Sequence, residues 1–226
     1  MRKMYLSAPL PFVGQKRMLA KEFMKVLEQY PDGTLFVDLF GGSGLLSHIT
    51  KSLKPHSTVI YNDFDNYRFR MKHIPQTNQL LADIREMVGN SVPRHKIIKG
   101  ELRERIFSRI EQEENSTGYV DFITLSSSIL FSMKYKLSVQ DMRKEALYNN
   151  IRKTGYPECT DYLEGLEIVS CDYKEVFNRY KDIPGVVFLV DPPYLSTDVG
   201  TYNMYWNMAD YLLSLIHISE PTRQEA

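Results

Sequence analysis

The hydrophobic pattern changes period several times along the chain, and each change marks an element. Residues 34–40 (TLFVDLF), 58–62 (TVIYN), 166–171 (LEIVSC) and 186–190 (VVFLV) are short apolar runs rich in β-branched and aromatic residues. Continuous runs of that length predict strands buried on both faces, as in a parallel sheet. Residues 45–53 carry helical spacing and follow Gly41, Gly42, Ser43 and Gly44. The first strand therefore leads through a glycine turn into a helix. Between the second and third strands the pattern predicts helices over 79–88, 101–114, 122–133 and 139–152, with loops around Pro93, Ser116 and Pro157. That is too much chain for a simple crossover, and it predicts an inserted helical subdomain.

Each strand delivers a carboxylate at or near its end: Asp38, Asp63, Asp172 and Asp191. In open α/β sheets that edge is where ligands bind. The fold class expected from the pattern is α/β.

Composition changes this picture little. The 226 residues are 43% hydrophobic and 25% charged, the range of a soluble globular domain. No apolar run reaches membrane-spanning length, and the first residues lack the apolar core of a leader, so a cytoplasmic location is expected. Cys159 and Cys171 lack metal-ligand spacing and read as reduced, packed thiols; no metal is expected. Net charge is zero, but its distribution is uneven. Arg94, Lys96, Lys99, Arg103, Arg105 and Arg109 stand against Glu101 and Glu104. Lys134, Lys136, Arg143, Lys144, Arg152 and Lys153 stand against Asp141 and Glu145. The flank from 158 to 191 is more acidic. A basic middle suits a phosphate-facing surface, and the same residues also suit solvated helix faces.

Two constellations carry chemistry. The first is Asp38-Leu39-Phe40-Gly41-Gly42-Ser43-Gly44, with Asp63 at the end of the next strand. Glycines let the backbone approach a ligand, and a carboxylate at that distance can accept from ribose hydroxyls. This pair alone fits a nicotinamide, flavin or S-adenosylmethionine site equally. The second is Asp191-Pro192-Pro193-Tyr194 after a buried strand. Prolines donate no backbone hydrogen bond, so their carbonyls stay free as acceptors beside the Asp191 carboxylate. Together they can grip both hydrogens of an amino group, while Tyr194 offers a flat face for a base. The residues that follow, Thr201, Tyr202, Asn203, Met204, Tyr205 and Trp206, are either a loop that closes over such a base or a packed aromatic cluster.

Taken in order, PFVGQK at 11–16, DLFGGSG, IYNDFD, VSCDY and LVDPPY resemble the DNA adenine methyltransferases related to the Dam enzyme, over about residues 5–212. The resemblance implies a Rossmann-like class I methyltransferase sheet, incomplete here, with an inserted helical target-recognition subdomain. It implies S-adenosylmethionine as cofactor and double-stranded DNA with a flipped adenine as partner. Phe12 and Lys16 would then contact the cofactor from the opening segment, although Lys16 also reads as a solvated lysine at a helix start. Asp38, Phe40, Gly42 and Gly44 would shape the pocket for its methionine part, Asp63 would hold the ribose, and Asp172, after Cys171, would lie near its adenine. Asp191, Pro192 and Tyr194 would be catalytic, with Asp191 also facing the cofactor. Arg103, Arg105, Arg109, Lys134 and Lys136 are the expected DNA contacts, and a monomer is expected.

Two rivals share these residues. One is a methyltransferase of another planar amine, RNA adenine or protein glutamine; the latter type usually has Asn where Asp191 stands. The other is a nucleic-acid-binding module without turnover. The implied division is 1–70 for the first part of the catalytic domain, 71–160 for the insertion and 161–212 for its continuation. Residues 213–223 (LSLIHISEPTR) match an in-frame translation of a transposase-type sequencing adapter. Residues 213–226 are therefore expected to be a non-native tail on a truncated chain, and they take no part in the functional argument.

Overall fold

The computed structural model describes residues 3–12, 14, 18–131 and 134–192. Neighbouring side chains of a strand point to opposite faces, so an unbroken apolar run needs cover on both sides. The first run meets that need. After helix α1 (Ala20–Glu28), strand β1 (Phe36–Asp38) is buried along its whole length. Helix α2 (Leu45–Leu53) follows the glycine turn, and strand β2 (Val59–Asn62) is again fully buried. Helices α3 (Tyr67–Lys72) and α4 (Ile74–Val88) come next, then strand β3 (Ile97–Ile98), helix α5 (Gly100–Thr117), helix α6 (Phe122–Ile129), helix α7 (Val139–Arg143) and strand β4 (Leu147–Tyr148). Strand β5 (Glu167–Val169), helix α8 (Tyr173–Tyr180) and strand β6 (Val187–Leu189) complete the described elements.

The main sheet has the order β5-β2-β1-β6, and all its pairings are parallel. Asp38 lies opposite Tyr61 on one side and Leu189 on the other, and Tyr61 lies opposite Ile168. On one face Phe36, Val59 and Leu189 pack with Ala20 and Leu27 of α1 and with Leu45 and Ile49 of α2. On the other, Val37, Leu39 and Ile60 pack with Val176 of α8. The sheet is thus the middle of three layers. The four strands and α2 lie where the apolar runs predict them.

The helical segment has its own core, built from residues such as Leu80, Ile84, Ile106, Phe107, Ile110, Leu125 and Met142. Leu10 and Tyr67, from outside residues 71–160, are buried in that same cluster. Helix α4 begins earlier than predicted because Pro75 sits in its first turn, where a missing N–H is tolerated. The predicted helix over 122–133 stops at Ile129, and Met133 lies outside the described residues. The predicted helix over 139–152 is corrected more severely. Only Val139–Arg143 is helical, started by the Ser138 hydroxyl accepting from the Asp141 N–H at 3.1 Å. Leu147 and Tyr148 instead pair antiparallel with Ile98 and Ile97. Asn149 then donates to the Val92 carbonyl at 2.6 Å, and its backbone N–H to Lys96. A short amide that bonds distant backbone competes with helix, and here it wins.

One buried ion pair ties the helical core to the rest. Arg70 of α3 meets Asp121 at 3.2 Å, and both side chains are almost fully covered. Asp121 also caps α6 by accepting from the Thr124 N–H at 3.1 Å. Asp121→Ala is expected to cost about 3–5 kcal/mol, because it strands the Arg70 charge away from water. Urea unfolding monitored by circular dichroism measures it; a loss below about 1 kcal/mol contradicts this account.

Candidate active site

Parallel strands end on the same side, so the register brings four carboxylates to one edge. Their order along that edge is Asp172, Asp63, Asp38, Asp191, following β5, β2, β1 and β6. At roughly 4.8 Å per strand spacing, Asp63 and Asp191 flank Asp38 across a gap of about 10 Å.

Asn62 laces the strand exits together. Its Nδ2 donates to the Leu39 carbonyl and to the Cys171 carbonyl, each at 2.9 Å, and its Oδ1 accepts from the Cys171 N–H at 3.1 Å. The exits of β1, β2 and β5 are therefore fixed relative to one another. Beside this latch the ring of Phe40 stacks on Tyr173, with centroids 4.9 Å apart. Asp172 starts α8 by accepting from the Lys174 N–H at 2.8 Å.

The glycine turn packs without room for side chains. A Cβ on Gly41 would lie 2.3 Å from the Tyr61 ring and 2.6 Å from the Asn62 carbonyl oxygen. Gly42 and Gly44 hold positive φ angles of 51° and 71°, which glycine adopts without the strain of a side chain. Phe12 lies over the turn, with a ring carbon 3.0 Å from where a Cβ of Gly42 would stand. The opening segment thus folds back onto the glycine turn.

The two central carboxylates differ. Asp63 is well supplied: Oδ1 accepts from the Tyr67 N–H at 2.6 Å and Oδ2 from the Arg68 N–H at 3.1 Å. The Tyr61 hydroxyl lies 3.0 Å from Oδ1 and 2.9 Å from the Gly42 carbonyl, and shares its one proton between them. Burial nevertheless pushes the Asp63 carboxyl above its usual range, against these donors. Burial also raises the Tyr61 hydroxyl well above its ordinary value, so it stays protonated. Asp38 is 1% exposed. Its Oδ2 accepts from the Ser47 hydroxyl at 2.6 Å, while Oδ1 is buried without a hydrogen-bond partner among the described residues. Burial pushes the Asp38 carboxyl up to about 7; the nearby Asp191 carboxylate adds to the rise, while Ser47 and the backbone N–H of Phe40 oppose it. A buried acceptor beside two glycines and a second carboxylate can accept a hydrogen bond from a charged donor of a ligand.

Asp191 and Pro192 are half-buried just past β6. Lys16, Pro193, Tyr194 and the aromatic run from 201 to 206 lie outside the described residues, as do residues 213–226. Sequence reasoning passed over Ser47, Tyr61 and Asn62. The one available signal was Asn62 itself, an amide closing an otherwise apolar strand.

A family profile for D12 class N6 adenine-specific DNA methyltransferases matches residues 12–212. The chain belongs to that family. It is also 38% identical to a Haemophilus influenzae (strain ATCC 51907 / DSM 11121 / KW20 / Rd) protein named "Putative methyltransferase", with 97% of this chain and 75% of that protein covered. This methyltransferase has no helix among its described residues long and apolar enough to cross a membrane. Those residues also hold no group of three or more His, Cys, Asp or Glu placed to bind a metal ion.

The basic residues of the insertion are largely occupied. Arg109 bonds Asp83 and Glu113, both at 2.8 Å. Arg103 bonds Glu104 at 2.7 Å and lies over the Phe107 ring. Lys134 and Lys136 both meet Glu145, at 2.5 and 3.1 Å. Arg105 is exposed on α5 and makes no ion pair among the described residues.

A carboxyl whose folded pKa is raised holds its proton more tightly when folded. Its contribution is then present at low pH and is lost as pH rises toward the folded value. For Asp38 that window runs from about 4 to about 7. Asp38→Asn is expected to gain stability relative to the ligand-free parent across this window, with the gap level above pH 7. Urea midpoints at a series of pH values measure the gap; a pH-independent difference contradicts the raised pKa.

Proposed function

We propose that this methyltransferase takes its methyl group from S-adenosylmethionine and places it on the exocyclic nitrogen of an adenine flipped out of double-stranded DNA. The carrying observation is the buried Oδ1 of Asp38 at the glycine turn, which has no hydrogen-bond partner among the described residues. The methionine part of that cofactor ends in an ammonium, which is the group such an oxygen lacks. Gly42 and Gly44 put bare backbone beside it, close-packed against Phe12 and Leu163. Asp63 keeps acceptor capacity beyond the donors it already binds, since an ionised carboxylate takes about four, and this suits ribose hydroxyls. Asp172, fixed near β5 by Asn62 through Cys171, is assigned to the adenine end.

The cofactor supplies an electrophilic methyl on a sulfonium. The chain supplies position and electrostatics. An adenine amine is a weak nucleophile because its lone pair is delocalised into the ring. The Asp191 carboxylate and the Pro192 carbonyl accept its two N–H bonds, which favours a pyramidal nitrogen with a localised lone pair. Asp191 next to Asp38 sets that acceptor pair beside the cation-seeking end of the pocket. A base inside a duplex cannot reach this edge, so it leaves the stack, and Tyr194 is assigned to stack on it. The division at 1–70, 71–160 and 161–212 fits these roles, with the helical insertion reading the target.

Methyl transfer from labelled S-adenosylmethionine to unmethylated DNA tests the reading. Asp191→Ala is expected to lower the rate about 100-fold or more while the melting transition is kept. Retained turnover removes Asp191 from the chemistry.

Among the five basic residues assigned to DNA, Arg105 is best placed for phosphate contact. Arg105→Ala is expected to lower DNA affinity and to reduce the slope of log affinity against log salt by about 0.9. Arg109→Ala, which breaks pairs within the chain, is expected to act on stability first. An unchanged salt slope in Arg105→Ala removes Arg105 from phosphate contact.

A further inference from the structure

Helix α3 carries two side chains that reach the opening segment. The Tyr67 hydroxyl accepts from the Leu10 N–H at 2.9 Å and faces the Leu10 carbonyl at 3.2 Å. Arg70 Nη2 donates to the Pro11 carbonyl at 2.8 Å and to the Thr124 hydroxyl at 3.1 Å. Its Nε bonds both oxygens of Asp121 at 3.2 Å. Residues 10 and 11 are thereby held by backbone groups, whatever their side chains. The next residue is Phe12, whose ring lies over Gly42 and meets Tyr67 edge-on with centroids 5.8 Å apart. The start of α3 is itself held by Asp63, through the Tyr67 and Arg68 N–H groups.

One rigid path therefore links two regions. It runs from Asp63 through Tyr67 and Leu10 to Phe12 over the glycine turn. A branch runs from Arg70 to Asp121 and Thr124, at the start of α6 in the helical insertion. We infer that Tyr67 and Arg70 are positioning residues: by holding the backbone of Leu10 and Pro11 they seat Phe12 over the cofactor pocket. Neither touches the reacting atoms. The inference rests on the reading of the glycine turn and Asp63 as the S-adenosylmethionine site.

The seating has a physical basis. An ordered backbone held by hydrogen bonds at both residues before Phe12 presents that ring without a further entropic cost on binding. Releasing one clamp makes cofactor binding order the segment as it occurs, which weakens binding but leaves the bound geometry unchanged. The effect then falls on cofactor affinity rather than on turnover once the cofactor is in place.

The test uses Tyr67→Phe, which removes only the hydroxyl, and Arg70→Lys, which keeps a charge for Asp121 but loses the forked contacts to Pro11 and Thr124. Ile84→Val loosens the same helical core without touching the opening segment. Calorimetry with S-adenosylmethionine and steady-state methylation kinetics are run on all three and on the parent. Tyr67→Phe and Arg70→Lys are expected to raise the cofactor Kd and KM about fivefold to tenfold with kcat within twofold, while Ile84→Val lowers the melting temperature and leaves both constants unchanged. Unchanged Kd in Tyr67→Phe and Arg70→Lys, or an equal rise in Ile84→Val, overturns the positioning role. A parent chain that does not bind S-adenosylmethionine overturns the reading of the site, and the inference with it.

Discussion

Asn62 is buried at the end of β2, and its amide bonds the exits of both β1 and β5. The rest of the candidate site depends on that latch. A parallel sheet sets strand ends on one edge, but it does not fix the turns that leave them. An amide with two donors and an acceptor can fix them, because an unmet amide in that buried setting costs more than the bonds it makes. Leu39 is held beside Asp38, and Cys171 beside Asp172, by the residue that precedes Asp63.

Two carboxylates one strand apart show how environment separates similar groups. Asp63 is given donors from the first turn of α3 and from Tyr61, and behaves as an anchor for that helix. Asp38 has the Ser47 hydroxyl, with weaker help from the Phe40 and Ser47 backbone N–H groups, and its Oδ1 is left without a hydrogen-bond partner among the described residues. The same residue type is well supplied with donors in one strand and short of them in the next. An unfinished buried acceptor is a stored cost in the ligand-free chain, offset when a matching donor arrives. The helical insertion follows the opposite logic: Arg109, Arg143, Lys134 and Lys136 meet its own carboxylates and hold α5, α7 and the loop at 134–136 in place, while Arg105 stays exposed.

The family match and the edge of carboxylates agree with the order of motifs along the chain. Membership gives the chemistry as adenine methylation of DNA, and the carboxylate edge is the candidate place for it. The clamp on Leu10 and Pro11 adds a link between the opening segment and the insertion that no single motif contains.

By itself the sequence determined the parallel strands, the glycine turn, helix α2 and the four carboxylates at strand ends, because those depend on local period and on residues a few positions apart. Tertiary structure decided everything that rests on distant partners. Residues 139–152 carry a helical pattern, yet Leu147 pairs with Ile98, far back in the chain. Arg109 reads as a free cation until Asp83 is folded against it. Asn62 shows no special spacing, and its partners Leu39 and Cys171 lie 23 and 109 residues away. Asp38 and Asp63 are both buried, and the supply of donors separates them: the first turn of α3 and Tyr61 serve Asp63, while Asp38 keeps one oxygen without a partner among the described residues, which only the packed molecule decides.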